Sequence, residues 1–251
     1  MIQLVKKDLK LFFGNRQGMI LTFVLPIILI TLFAFVFGKM NNSPEGNLMS
    51  LVQSVAGTSV MMLLFSVAGI GGSLLDEKEE GMLKKLLCSP IAPDYIIFGK
   101  LVFANIISII QLTIMFVYAK LVFGLDIMHH LPSLILMIIS IAYACAGFGV
   151  VLASFAKNRQ QVQGYSTLIV LVMSCIGGSM IPLFVMPEII KKIAVFSVNY
   201  WGIQGIYDIF WKQVPITGIT FLSRVFVLLG IGTLLNSIAL LLFRRNILRV
   251  A

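Results

Sequence analysis

Charged residues are scarce in this chain of 251 residues, and hydrophobic residues make up most of it. Only 12% of the residues are charged and 59% are hydrophobic, whereas soluble domains are about one quarter charged. This imbalance excludes a water-soluble globular protein. A helix needs roughly 20 apolar residues to cross the hydrocarbon core of a bilayer, so a chain of this length has room for several crossings joined by short loops.

Residues that commonly carry out chemistry are also few. Cys88, Cys145 and Cys175 are the only cysteines, and they have neither CxxC nor metal-ligand spacing, so no disulfide framework or zinc site is predicted. The two histidines, His129 and His130, are adjacent, and we interpret them as loop polarity because a metal would need ligands from elsewhere. No catalytic triad or suitably spaced pair of carboxylates is found. We therefore predict no catalytic residues and no metal site.

A nucleotide-binding P-loop is missing as well. That motif needs Gly, four residues, and then Gly-Lys followed by Ser or Thr, but Gly38-Lys39 and Gly99-Lys100 are followed by Met and Leu. If the protein uses ATP, hydrolysis must take place on another chain. ATP and Mg²⁺ would then be bound by that chain, and we expect no cofactor here.

Six apolar runs follow an N-terminal segment with helical periodicity. The runs cover approximately residues 18–38, 50–75, 95–123, 133–155, 164–186 and 220–243. The first is too long and ends in residues too bulky for a cleaved signal peptide, so we interpret it as a retained span. In segment 1–16, Ile2, Val5, Leu9 and Phe12 share one face, which predicts an amphipathic helix on the membrane surface.

Together these patterns predict an all-α integral membrane fold. It is a single transmembrane domain over residues 1–251, with six transmembrane helices, the N-terminal interfacial helix, and short re-entrant or interfacial helices on the outer side. Small residues recur inside the runs, as in 69–73, 144–149 and 177–179. They predict close helix packing, with a substrate path lined by them as the alternative.

The distribution of lysine and arginine indicates the orientation. Basic residues gather before the first run, after the second and fourth, and after the last. Because such residues are retained in the cytoplasm, we expect both termini and the loops 76–94 and 156–163 on that side. This topology accounts for the net charge of +9, so no nucleic-acid partner is predicted. Lys100, Lys120 and Arg224 lie near the ends of runs and are expected to snorkel toward the interface.

The loop 76–90 changes character twice within fifteen residues. Four acids and one lysine precede Gly81, which can break a helix, and segment 82–87 then places leucines at helical spacing before Ser89-Pro90 stops it. A short helix with an apolar face beside a charged cluster is suited to contact a partner protein. An ordinary solvated loop is the alternative interpretation.

The segment 187–219 is too polar for a seventh span, yet it contains both tryptophans of the protein. Amphipathic aromatic residues settle at membrane interfaces, so we predict one or two short helices that dip into the outer leaflet. They would act either as an anchor or as an outer gate. The candidate gate residues are Pro182, Pro187, Tyr200, Trp201, Tyr207 and Trp211.

Two blocks of sequence resemble the type-2 ABC transporter permeases. The first comprises Glu77-Lys78-Glu79-Glu80-Gly81-Met82-Leu83, then Leu86-Leu87-Cys88-Ser89-Pro90-Ile91 and Gly99-Lys100. The second comprises Gly177-Gly178-Ser179-Met180-Ile181-Pro182-Leu183, then Met186-Pro187-Glu188 and Asn199-Tyr200-Trp201. The family commonly has Thr where this chain has Met82. The similarity covers nearly the whole chain, including the number and order of the apolar runs.

This resemblance implies the membrane-spanning subunit of an ATP-driven exporter in a prokaryotic plasma (inner) membrane. A separate ABC ATPase subunit would dock on loop 76–90, and a second permease copy or a homologue would complete a central path. The residues implied in coupling are Glu77, Glu79, Glu80, Gly81, Leu83, Leu86 and Leu87. We expect a hydrophobic or lipid-like cargo. A non-transport membrane protein, such as an assembly factor or an immunity protein, is the alternative.

Overall fold

The computed structural model of the protein describes residues 2–38, 44–88 and 93–246. This part of the chain is built from helices. They are α1 (Ile2–Gly14), α2 (Arg16–Met19), α3 (Leu25–Gly38), α4 (Pro44–Glu79), α5 (Met82–Leu87), α6 (Pro93–Phe123), α7 (Leu131–Phe155), α8 (Arg159–Ile176), α9 (Glu188–Ala194), α10 (Val198–Phe210) and α11 (Ile219–Asn246). A π-helical turn, Ile20–Val24, joins α2 to α3. The predicted all-α fold is confirmed.

Within the described residues, five helical segments are long and apolar enough to cross a membrane. They are Arg16–Val36, Gly46–Glu79, Asp94–Phe123, Met128–Phe155 and Ile219–Phe243. Each coincides with one of the predicted apolar runs. The remaining run, 164–186, is divided, and the predicted total of six spans therefore stays a prediction.

The divided run contains a helix and a turn. Helix α8 ends at Ile176, and Gly178 then adopts a φ of +90°, in the left-handed region that favours glycine. The apolar part of α8 is shorter than the predicted run because the helix ends at Ile176, well before the run ends at residue 186. With 18 residues, the helix is about 27 Å long.

Helices α4 and α7 form the centre of the bundle. In α4, 78% of the apolar span is buried inside the chain, against 17% in the segment that contains α3. Helix α4 packs against α3, α6, α7, α8 and α10, and α7 packs most extensively against α11 and α4. Helix α3 is peripheral, with Ile28, Leu32 and Phe35 exposed, and 28% of the apolar span in α11 is buried.

Two glycines allow the central helices to touch. A Cβ atom built on Gly71 of α4 would overlap the carbonyl oxygen of Gly149 in α7, and one built on Gly149 would overlap the carbonyl oxygen of Val67. Close approach of this kind strengthens dispersion contacts, which drive helix association in lipid. The structure thus confirms the packing role for these two glycines. A Cβ on Gly69 would meet nothing within 4 Å.

The predicted surface helix corresponds to α1, which packs against α6. Its burial is uneven, because Val5 and Asp8 face the protein while Ile2 and Leu11 are exposed. The helix itself is confirmed, and its location at a membrane interface stays a prediction.

Candidate functional site

Four charged side chains from three helices meet at the C-terminal end of α4. Lys100 Nζ lies 3.0 Å from Asp8 Oδ2 and 3.1 Å from Glu77 Oε1. Lys7 Nζ lies 2.7 Å from the same Glu77 oxygen and 3.6 Å from Asp8 Oδ1. We call these four residues the ion cluster. It joins α1 and α6 to the end of α4.

The ion cluster is buried and electrically balanced. Asp8, Glu77 and Lys100 are 6%, 8% and 5% exposed, and only Lys7 reaches the solvent to a larger extent. Two ammonium groups face two carboxylates, so no net charge is buried. Balance matters because a buried charge without a partner costs several kcal/mol. Lys100 was expected to snorkel, and that prediction is wrong because buried carboxylates are present to pair with it.

Lys7 connects the ion cluster to the following helix. Its Nζ atom lies 3.5 Å from Met82 Sδ, at the first residue of α5. Burial opposes the charged form of Lys7, but a hydrogen bond to Glu77 and the charges of Glu77 and Asp8 outweigh it, so the pKa of Lys7 is raised. Lys7 is therefore an ammonium at neutral pH, and it contacts α1, α4 and α5 together.

The turn between α4 and α5 is the predicted helix break. Gly81 has a φ of +70°, which a residue with a side chain adopts only at a cost. Beyond it, Leu83 is 1% exposed and packs in an apolar cluster with Leu74 of α4, Ile97 of α6 and Phe243 of α11. The short helix predicted from residues 82–87 is thus present, and its Leu83 side chain is turned into the bundle.

Among the residues implied in coupling, two are buried and two are exposed acids. Glu77 and Leu83 are buried against the rest of the chain, which makes them internal contacts. Glu79 and Glu80 are exposed at the end of α4. The backbone of residues 86–87 belongs to α5, but their side chains and the Ser89-Pro90 stop lie outside the described part of the chain. Docking by any of these residues stays a prediction.

Asp76 ties a further helix to this end of the bundle. Its carboxylate forms an ion pair with Arg159, the first residue of α8. The Asn158 side chain caps α8 by accepting a hydrogen bond from the Gln161 amide. Four helices, α1, α4, α6 and α8, are therefore linked by charged contacts at this end.

The opposite end of α4 packs against the segment predicted to be interfacial. Two short helices, α9 and α10, are present there as predicted. Helix α10 is buried against α4, α7 and α11, so its interfacial placement is not confirmed. Of the candidate gate residues, Tyr207 is buried, Pro187 is exposed, and the other four, Pro182, Tyr200, Trp201 and Trp211, are half-buried.

Gln53 connects three elements at this end. Its Nε2 donates a hydrogen bond to the Gly178 carbonyl oxygen at 2.6 Å, and its Oε1 accepts one from the Tyr207 hydroxyl. The side chain is 3% exposed. Gln53 of α4 thereby holds both the turn that ends α8 and the helix α10.

Replacing Gln53 with Met should destabilise the fold, because Met preserves much of the volume but leaves the buried Tyr207 hydroxyl without its acceptor. A lost buried partner costs about 1–3 kcal/mol. The thermal midpoint in detergent measures the loss. Adding Tyr207→Phe removes the stranded hydroxyl, so the double variant should recover part of the stability that Gln53→Met loses. A double variant that loses the full sum of both single effects would show that the two side chains act separately.

Asp208 of α10 forms a second buried charged group. It is 0% exposed, and its two oxygens lie 2.7 Å from Lys212 Nζ and 3.2 Å from Arg224 Nε. The Arg224 guanidinium also lies over the rings of Trp201 and Tyr200, 5.4 Å and 5.9 Å from their centroids. Arg224 is therefore paired in the protein, contrary to the snorkelling that we expected.

The described residues contain no group of three or more His, Cys, Asp or Glu side chains positioned to hold a metal ion. His129 lies on the surface, with Nδ1 3.1 Å from Asp126 Oδ2. The ion cluster and the group around Asp208 are ion pairs that join helices at the two ends of α4.

A model of the ABC-2 type transporter family matches residues 1–211. This chain belongs to the ABC-2 type transporter family. The matched region includes the whole ion cluster and Asp208, and it ends before Lys212 and Arg224. The resemblance found in the sequence is thereby confirmed. Proteins of this family are membrane components of transporters, without catalytic activity of their own, and they normally work with an ABC ATPase.

Two bacterial permeases show what this ABC-2 family protein is similar to. It is 22% identical over 165 residues to the linearmycin resistance permease protein LnrN of Bacillus subtilis (strain 168). The aligned region covers 65% of this chain and 42% of LnrN. It is 24% identical over 217 residues to the inner membrane transport permease YhhJ of Escherichia coli (strain K12), which covers 80% of this chain and 52% of YhhJ. The chain spans about half the length of the curated relatives that it matches.

Proposed function

We propose that this protein is the membrane-spanning subunit of an ATP-driven exporter and that a separate ABC ATPase chain docks beside α5. The observation that carries the proposal is the position of α5. It follows α4 after the turn at Gly81, and it contacts the membrane helices through Leu83 and the ion cluster through Met82. A partner that displaces α5 must therefore disturb both.

Force on α5 has two routes into the bundle. One route is apolar, because Leu83 packs with side chains from α4, α6 and α11. The other is electrostatic, because Lys7 contacts both Met82 and Glu77 and thus links α5 to α1 and α4. A ligand shifts a conformational equilibrium only through contacts that differ between the two states. Both routes supply contacts that change if α5 moves.

Glu79 and Glu80 are the residues that we propose for recognition. They are adjacent and exposed beside the α4–α5 turn, where an ATPase with a basic surface would meet them. Charges at the rim of an interface mainly govern the association rate and the choice of partner. Transmission within the permease would then depend on the buried residues Glu77 and Leu83.

In this proposal the α5 end lies in the cytoplasm with both chain termini, as the basic residues favour. Helix α8 makes the sixth crossing, because about 27 Å approaches the thickness of the hydrocarbon core. A second copy or a homologous chain completes the central path. The cargo is hydrophobic or lipid-like, which the small number of charges in the spans supports.

Reversing the exposed acids tests the docking. The Glu79→Lys, Glu80→Lys double variant, reconstituted with an ABC ATPase that co-purifies with the parent, should stimulate ATP hydrolysis about tenfold less than the parent, because repulsion between like charges weakens docking. Glu188→Lys, an exposed acid on α9, should leave stimulation unchanged. Equal stimulation by the double variant and the parent would contradict docking at this turn.

A non-transport role is the second candidate, as an assembly factor or an immunity protein. It predicts that no ABC ATPase co-purifies with the chain in detergent or nanodiscs. A stable complex with ATPase activity that responds to the α4–α5 turn would exclude it.

A further inference from the structure

A small pocket lies between the start of α4 and the end of α10. Met49 and Glu77 are at opposite ends of α4, so the pocket is roughly 40 Å from the ion cluster. Its volume is about 170 Å³. The lining residues are Met49, Leu183, Phe184, Gln204, Tyr207, Trp211 and Lys212. We propose that this pocket binds an amphipathic anion, with its acidic head on Lys212 and its apolar chain along Leu183 and Phe184.

Among the described residues, the charged group beside the pocket, Asp208, Lys212 and Arg224, is not balanced. Asp208 is fully buried between Lys212 and Arg224, and one carboxylate cannot neutralise two cations. The group therefore carries one net positive charge, in contrast to the balanced ion cluster. The Lys212 side chain is 47% exposed, and Asp208 occupies only one of the three N–H donors of its ammonium. The surplus charge is thus presented at the pocket.

The remaining lining suits an apolar chain. Met49, Leu183 and Phe184 contribute apolar surface, whereas Gln204 and Tyr207 add polar atoms. Phe184 is 57% exposed, and its neighbours Val185 and Ile181 are 66% and 51% exposed. Apolar surface therefore continues outward from the pocket. Ligand sites commonly combine such a lining with a few polar groups that fix orientation, and here the cation selects an anionic head.

Binding at Lys212 needs no ATPase, so the binding experiment can fail while the exporter proposal holds, and the reverse is also possible. The occupant has one chemistry and two sources, either an anionic lipid of the surrounding leaflet or a single-chain amphiphile that the protein transports. Both place an acidic head on the ammonium. The experiment is arranged to distinguish them.

Trp211 provides a direct reporter. Trp201 and Trp211 are the only tryptophans, so the Trp201→Phe variant has a single tryptophan. That residue, Trp211, lines the pocket. The probe is a fatty acid with a brominated chain, at an alkaline pH where its head is ionised, and the comparison is the brominated alcohol of equal chain length. Both compounds quench Trp211 when they partition into the detergent around the protein. The difference in quenching between them therefore reports the contribution of the acidic head group. We expect half-maximal quenching at a concentration about three- to fivefold lower for the acid.

Variants of lysine locate the anion. In the Trp201→Phe background, Lys212→Gln should abolish the preference for the acid and leave Asp208 paired with Arg224, which keeps the fold. Lys212→Arg should retain the preference, and so should Lys192→Gln, an exposed lysine of α9. A preference for the acid that persists in Lys212→Gln would overturn the proposal.

Nanodiscs identify the source. Brominated phosphatidylglycerol that quenches Trp211 more strongly than brominated phosphatidylcholine, with the excess lost in Lys212→Gln, identifies a leaflet lipid. A preference for the fatty acid without one for phosphatidylglycerol identifies a single-chain occupant. Either result supports an amphipathic anion at Lys212. Absence of both preferences overturns it.

Discussion

Replacing Lys100 with Met should destabilise the protein more than any other single change in the ion cluster. The variant leaves Asp8 and Glu77 buried, with only the partly exposed Lys7 to neutralise them. Removing one partner of a buried charge pair costs about 3–5 kcal/mol. The thermal midpoint of the purified protein in detergent, and the fraction that remains monodisperse, measure the loss.

Two further variants isolate the electrostatic cause. Lys85→Met removes an exposed lysine from α5 and should have little effect. Adding Glu77→Gln to Lys100→Met leaves Lys7 facing Asp8, so charge balance returns and part of the stability should be recovered. Neighbouring charges are expected to show this non-additivity. A double variant that is less stable than Lys100→Met alone would argue against charge imbalance as the cause.

Replacing Gly71 with Ala should separate the two central helices. The new methyl group would overlap the carbonyl oxygen of Gly149, and a backbone atom cannot move aside as a flexible side chain can. Overpacking a close contact costs about 1–3 kcal/mol, and a contact with backbone belongs at the upper end of that range. We expect lower yield of folded protein and a lower thermal midpoint.

Gly69 supplies a control on the same helix. A Cβ built on it meets nothing within 4 Å, and alanine has the higher helix propensity. Gly69→Ala should therefore be neutral or slightly stabilising. If Gly69→Ala and Gly71→Ala destabilise equally, backbone flexibility rather than helix contact would explain why glycine occupies these positions.

The order of the helices was predictable from the sequence because long apolar runs are a strong signal. Five of the six runs coincide with helices long enough to span a membrane. The exception shows the limit of the method. Hydropathy alone could not reveal that Gly178 would adopt a positive φ and end the run, since isolated glycines occur inside other spans.

The ion cluster was missed because each member looks ordinary by itself. Lys7 and Asp8 lie in a segment with many charges, and Lys100 lies near the start of a run. One local signal was present, because Asp8 shares a helix face with Val5 and Phe12 at spacings of three and four residues. A carboxylate on an apolar face indicates a buried partner. Which lysine would meet it depends on packing between α1 and α6, which local sequence does not encode.

The burial of α10 was not predicted from the sequence for a related reason. Its aromatic and polar residues are typical of an interface, but Asp208 is fully buried and paired with Arg224 from another helix. A polar composition excludes burial only when the charges have no partners. Pairing across sixteen positions of sequence is invisible to a composition argument.

The uneven burial of the spans divides the chain into parts under different kinds of constraint. In α4 most side chains fit against neighbours, so the order of its residues carries information about shape. In the segment containing α3 only 17% of the span is buried inside the chain. The bilayer constrains this segment mainly in its length and its hydrophobicity. Exposed apolar residues of α3 can therefore be exchanged for other apolar residues with little effect on the fold, whereas an exchange at a buried position of α4 disturbs the helices packed against it.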